Sequence, residues 1–258
     1  MRSSNPAAPT ILNKMSKNKF RYLNYYYWLR KLSFSKLFQR NFFLSDRYKR
    51  KVVFSSIYRS NHWRDYNKPK TNESVSGLGS DLGNNSSLVR NIKNFISEFK
   101  IKKILDLGCG DFNWMKYIVL NNNNIKDYLG LDIVDKIINL NNLNYKNNEI
   151  SFKTKDILLE NLPDSYDLII IRDLFIHLKN DEILKIINKI NSSNTKFLAV
   201  TSYPSSDINV NTNRFGHHRY INMELDPFYL DRPFKIFDDN ENQHNPRKLY
   251  IYKINEKS

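Results

Sequence analysis

Residues Ile104 to Trp114 read ILDLGCGDFNW, and this apolar run breaking into Gly108-Cys109-Gly110 constrains the chain more than any other segment. An apolar run bounded by glycines is the pattern of a strand buried on both faces of a parallel sheet. Two glycines one residue apart let the backbone turn tightly and approach a ligand closely. Asp106, near the end of the run, would turn a carboxylate toward that ligand. A second apolar run, YLGLDI at residues 128–133, also ends in an acid, and Asp132 stands 22 residues beyond Gly110. An acid about 20 residues past a glycine turn is where a doubly wound sheet accepts hydrogen bonds from ribose hydroxyls. Ile133 follows it at the strand end. The dinucleotide fingerprint GxGxxG is incomplete, because Asn113 occupies the third glycine position, and this disfavours a nicotinamide oxidoreductase. A bare Gly-x-Gly turn also occurs in ordinary α/β cores that bind nothing, so both readings stand at this point.

A third run from Ile150 leads to Lys155-Asp156-Ile157, and a fourth reads DLIIIRDLFIHL over residues 167–178. Its five-residue apolar core with charge only at the ends fits a central strand, which places Arg172, Asp173 and His177 beside the same crevice. Helical patterns fall near Ser87 to Lys100, from Phe112, from Val134 and from Asp181 to Asn191. A fifth strand fits Lys196 to Ser202, and two last runs at Phe234–Phe237 and Lys248–Ile254 fit a pair of strands joined by a polar turn. Alternating β and α elements followed by a hairpin predict a mostly parallel sheet with one antiparallel strand. The aperiodic stretch from Tyr203 to Arg232 would then wall the crevice outside the carboxyl ends of the strands.

Charge divides the chain into two. Residues 1–70 carry 17 Lys or Arg against Asp46 and Asp65, whereas the remainder holds 24 residues of each sign, so the net charge of +15 belongs to the amino-terminal extension. That extension, residues 1–70, is also aromatic: Tyr22, Tyr25, Tyr26, Tyr27, Trp28, Phe34, Phe38, Phe42 and Phe43 interleave with Arg21, Arg30, Lys31, Lys36 and Arg40. Residues 15–70 suit an anionic membrane surface or nucleic acid, and equally suit rings packed on the main domain, 71–258, with their charged neighbours in water. No apolar stretch approaches the roughly 20 residues that span a bilayer. A lone cysteine, Cys109, excludes an internal disulfide and fits a reducing compartment, so the expected location is cytoplasmic with peripheral membrane contact open to the arm. No metal-ligand cluster is evident.

The run ILDLGCG fills every position of the first motif of class I S-adenosylmethionine (SAM) dependent methyltransferases. From about Phe54 to Lys253 the chain resembles a bacterial group of these enzymes in four segments. They are Tyr58-Arg59-Ser60-Asn61-His62-Trp63, the loop Ser76-Gly77-Leu78-Gly79-Ser80, Gly110 to Met115, and Arg172-Asp173 with His177-Leu178. The resemblance implies a Rossmann-like α/β fold and SAM as cofactor, held by Asp106, Gly108, Cys109, Gly110, Asp111, Asp132, Ile133, Asp156, Ile157 and Arg172. In that family the acid at Asp156 meets the adenine amino group. A solvated loop acid is the plain alternative.

Methyl transfer from a sulfonium is an in-line displacement, so the protein mainly positions the partners and removes a proton from a hydroxyl or amine acceptor. His177 is the first candidate base, with Asp173 to orient it one turn away and Arg172 beside it. His217-His218 is the second. Trp63, Ser80, Arg214 and Arg219 are candidate acceptor-binding residues, the arginines for a carboxylate or phosphate. A small molecule, a glycan or a lipid-linked sugar is the expected acceptor. A nucleic-acid methyltransferase would explain the basic arm, but Arg172-Asp173-Leu174-Phe175 stands where base-amino methylases resemble Asp/Asn-Pro-Pro-Tyr/Phe. A catalytically silent SAM-fold module is the remaining alternative.

Overall fold

The architecture rests on a computed structural model that describes residues 28, 31–33, 35–41, 43–63, 74–81, 86–120, 122–239 and 246–254. In the extension lie α1 (Lys36–Gln39) and α2 (Asp46–Ser60). There follow α3 (Ser86–Glu98), β1 (Lys103–Leu107), α4 (Lys116–Val119), β2 (Asp127–Asp132), α5 (Asp135–Tyr145), β3 (Ile150–Thr154) and β4 (Leu168–Ile171). The chain then forms α6 (Asn180–Asn191), β5 (Phe197–Ser202), β6 (Lys235–Asp238) and β7 (Lys248–Lys253). The strands join in one seven-stranded sheet of order β3-β2-β1-β4-β5-β7-β6. All neighbours are parallel except that β7 runs antiparallel to both β5 and β6. This is the mostly parallel Rossmann-like sheet with a terminal hairpin that the sequence predicts.

The two-residue period of the strands divides the core cleanly. Ile104, Leu168, Ile170 and Ala199 face α3 and α4, while Leu105, Leu107, Ile169, Ile171 and Val200 face α6 through Ile183, Ile186, Ile187 and Ile190. The helix expected from Phe112 starts only at Lys116, because Phe112 takes a left-handed φ of 61° and the run Gly110–Met115 is spent on turns.

The extension divides in a way composition does not reveal. Helix α2 begins at an N-cap serine, Ser45, and buries Val53, Phe54 and Ile57 against Val134, Ile137 and Phe215. Phe38 is partly buried on the same cluster, but Trp28, Leu32, Leu37 and Phe43 are exposed. Arg21, Tyr22, Tyr25, Tyr26, Tyr27, Arg30, Phe34 and Phe42 lie outside the described residues. Among the described residues no helix is long and apolar enough to cross a membrane, and no group of three His, Cys, Asp or Glu is placed to hold a metal.

Candidate active site

The carboxyl ends of β1, β2 and β4 open into a cleft of about 900 Å³, part of it continuous with solvent. Its floor is the glycine turn. Gly108 and Gly110 both sit at positive φ, 76° and 54°, where a side chain is strained, and a Cβ on Gly110 would collide with the Ser76 hydroxyl. The Gly110 N–H donates to Asp132 Oδ2 at 3.2 Å, and the Val134 N–H donates to Oδ1 at 3.0 Å. Asp132 therefore closes the turn as well as lining the cleft. Burial raises its pKa to about 6, against the lowering effect of the Val134, Gly110 and Ile133 amides. Ile133, Ile157, Leu158 and Leu131 add an apolar wall beside it.

Two of the expected cofactor acids do not line the cleft. Asp106 is buried behind the turn and accepts from Tyr128 Oη at 2.6 Å; burial raises its pKa to about 7. Asp111 points the other way and gathers the loop before α3, accepting from Ser74 Oγ at 2.9 Å, the Val75 N–H at 2.7 Å and Ser76 Oγ at 2.9 Å. The Ser-Gly loop is thereby fastened across Gly110, with Ser76 and Ser80 on the cleft. Cys109 lines the cleft as well, but burial pushes its thiol well above the usual range, so it offers no thiolate nucleophile.

The opposite wall comes from α2. Arg50, Phe54 and Tyr58 recur every four residues, share one helix face and all line the cleft. Arg50 Nη2 donates to Asp156 Oδ2 at 2.7 Å and Nη1 to Glu182 Oε1 at 2.9 Å, all three side chains being nearly inaccessible. Asp156 is thus both a cleft residue and the partner of a cation 106 residues earlier.

His177 ends the short turn after β4, beneath Trp63, whose indole stacks on the imidazole with centroids 5.2 Å apart and planes 19° from parallel. The ring donates to the His217 backbone, which leaves Nδ1 as the nitrogen without a partner. Burial, helped by nearby His218, lowers its pKa to about 4, so the imidazole is neutral throughout the physiological range. Asp173 does not reach it: the carboxylate pairs with Arg247, and its backbone N–H donates to Thr201 Oγ1 at 2.9 Å. Arg172 lines the cleft but grips the fully buried Asp239 with Nε and Nη2, each at 2.7 Å, and lies over the Trp114 ring. Arg247 Nη2 joins the same carboxylate at 2.8 Å. The two guanidiniums keep Asp239 ionised against its burial.

The loop Tyr203–Arg232 contributes no side chain to the cleft lining and instead backs His177, with His218 at 6.2 Å between ring centroids. Arg219 is buried and bonded to Asn180 Oδ1 and to the carbonyls of Val210 and Leu178. Arg214 lies with Arg219 on a second cavity. Arg50, Phe54, Asp239 and Arg247 are not among the residues that the sequence marks, and Tyr58 is marked there only as part of the segment Tyr58–Trp63, with no site role. A four-residue recurrence leading up to Tyr58 was the available signal for Arg50 and Phe54.

Residues 104–194 match the family model described as methyltransferase domain. No curated protein matches the chain. Among solved structures, magnesium protoporphyrin IX methyltransferase from Synechocystis PCC 6803, crystallised with bound SAM, superposes with a TM-score of 0.57 at 17% identity, covering 83% of this chain and 99% of that one. The methyltransferase domain of a bacterial CtHen1 gives a TM-score of 0.51 at 12% identity, over 66% of this chain and 100% of that one. A SAM-dependent methyltransferase from Clostridium acetobutylicum ATCC 824 gives 0.50 at 15% identity, over 66% and 91%. The chain therefore carries a methyltransferase-type Rossmann-like fold, and its site falls on the strand ends where such a sheet holds its ligand.

Proposed function

We propose that the chain is a SAM-dependent methyltransferase acting on an oxygen or nitrogen of a small-molecule or glycan acceptor. The observation that supports this most is Asp132, a buried carboxylate at the end of β2 that both fixes the Gly108–Gly110 turn and faces the cleft. The residues present suit the cofactor: Asp132 would accept from the ribose hydroxyls, the glycine turn admits the amino-acid portion closely, and Ile133, Ile157 and Leu158 offer an apolar slot for the adenine. When bound, SAM supplies an electrophilic methyl group on a sulfonium.

The chain's own residues then have separate tasks. Arg50 fixes Asp156 beside the adenine slot, while Arg172 and Arg247 share Asp239 and so brace the floor below β4. His177, neutral and with Nδ1 unpartnered, is the group that takes the acceptor's proton. Trp63 stacks on one face of that ring and, like it, lines the cleft, so the indole fixes the orientation of the imidazole while its in-plane nitrogen is left for the acceptor. Asp173, held by Arg247, acts on His177 and His218 through its charge and not by contact, favouring the protonated form of each ring.

Titration calorimetry with SAM tests the reading, followed by transfer of labelled methyl groups to sugars, lipid-linked glycans and RNA. Saturable SAM binding with transfer to a sugar or other small acceptor is the expected result. Absence of SAM binding by the wild-type protein overturns the proposal, and transfer to RNA alone replaces its acceptor with a nucleic acid.

A further inference from the structure

A second, open cavity of about 820 Å³, part of it continuous with solvent, lies between α1 and the segment 210–219 and shares no lining residue with the cleft. Lys36 and Arg40 reach it from the extension, and Arg214, His217 and Arg219 from the loop after β5. Gln39 holds the two sides in register, donating to the Ser33 carbonyl at 3.0 Å and accepting from the Phe215 N–H at 3.1 Å. Four cations thus converge from segments more than 170 residues apart. Among the described residues none of the four has a carboxylate within ion-pair distance.

Arg219 is the most telling of them. It is 8% exposed, its three bonds go to neutral oxygens, and its Nε has no partner. The acid whose charge acts on it, Glu182, is itself held by Arg50. Burying a guanidinium without an anion is costly, and drawing three further cations to the same opening adds repulsion. An oxyanion seated there removes both penalties. A carboxylate would need one arginine, whereas a doubly charged phosphate with several acceptor oxygens uses the whole set.

We infer that the cavity walled by Lys36, Arg40, Arg214, His217 and Arg219 binds a phosphate group. His217 lines it while its backbone receives the His177 ring, so a single residue separates the phosphate seat from the candidate base. The phosphate accordingly belongs to the methyl acceptor, a phosphorylated or phosphate-linked molecule. That assignment to the acceptor rests on the proposed function, whereas the anion site itself does not.

Calorimetry with pyrophosphate as the probe, on the full chain, tests it. Wild-type protein should bind saturably, and Arg40→Ala/Arg214→Ala should bind at least about tenfold more weakly with SAM affinity unchanged. The charge-retaining Arg40→Lys/Arg214→Lys variant should recover part of the loss. Vesicles of phosphatidylglycerol in phosphatidylcholine separate the sources: binding that pyrophosphate competes away assigns the phosphate to a lipid headgroup, and pyrophosphate binding without vesicle binding assigns it to a soluble acceptor. Absence of saturable pyrophosphate binding, or equal binding by the alanine variant, overturns the site. Pyrophosphate binding by a protein that ignores SAM would instead overturn the proposed function and leave the anion site standing.

Discussion

The two walls of the cleft are built on different principles. The wall at the glycine turn is local: Gly108, Gly110, Asp132 and Ile133 come from two adjacent strands, and the backbone itself provides much of the surface. The wall facing it is assembled at long range, from Arg50, Phe54 and Tyr58 on α2 and from Trp63 stacked on His177. The first wall tolerates little change in backbone, and the second little change in side chain. In the proposed reading the first wall holds the cofactor, whereas the second is divided, Arg50 serving the cofactor through Asp156 and Trp63 with His177 serving the acceptor.

The sharpest way to break this contrast is His177→Ala. If His177 serves the acceptor alone, the variant should keep its SAM affinity and lose roughly two to four orders of magnitude in methyl transfer. A packing histidine would instead lower stability and leave turnover per folded molecule unchanged, so both are measured on one variant. The same residue carries a pH signature. The unfolded imidazole takes its proton near 6.5 and the folded one only near 4, so the unfolded chain holds more protons between these values. Stability therefore rises with pH over that window, by up to about 3 kcal/mol, and urea titrations should show this dependence removed in His177→Ala.

Next in size is Arg50→Ala, which leaves Asp156 and Glu182 buried without their cation and should cost about 3–5 kcal/mol by denaturant unfolding. A cost near that of an exposed pair, about 0.5 kcal/mol, would make α2 a detachable cover and not a wall.

Asp132→Asn sharpens the other side with a smaller effect. Losing charge-assisted bonds to the ribose should weaken SAM binding by about 1.5–3 kcal/mol in calorimetry. In the wild type, affinity should fall as pH drops below about 6, where Asp132 takes up its proton, and the variant should lack that fall. An unchanged affinity would move the ribose elsewhere.

The local wall was legible in the sequence for the same reason that it is local. An apolar run, a glycine pair and an acid at fixed separation survive in one dimension, so β1, β2, β4 and Asp132 could be read directly. Asp106 and Asp111 were legible as acids near the turn, but their direction was not, because a side chain's facing depends on Tyr128 and on the Ser74–Ser76 backbone that meet it. Arg50 looked like one more charge in a basic arm, since its partners lie 106 and 132 residues away. Arg172 was rightly drawn to the crevice, yet Asp239, which occupies it, comes 67 residues later.

The placement of β7 carries a consequence for how the protein is made. Because this strand inserts between β5 and β6, the edge of β5 stays unpaired until residues 248–253 have left the ribosome. A chain emerging from its amino end will have its glycine turn, Asp132 and α2 in place while Val200 and its neighbours still present open backbone to any other strand nearby. Arg172 and Asp173 likewise wait for Asp239 and Arg247, which arrive with the same last hairpin. Biosynthesis therefore passes through a stage in which the glycine turn and Asp132 can form while the Arg172–Asp239–Arg247 cluster cannot, and the bare edge of β5 is open to other strands.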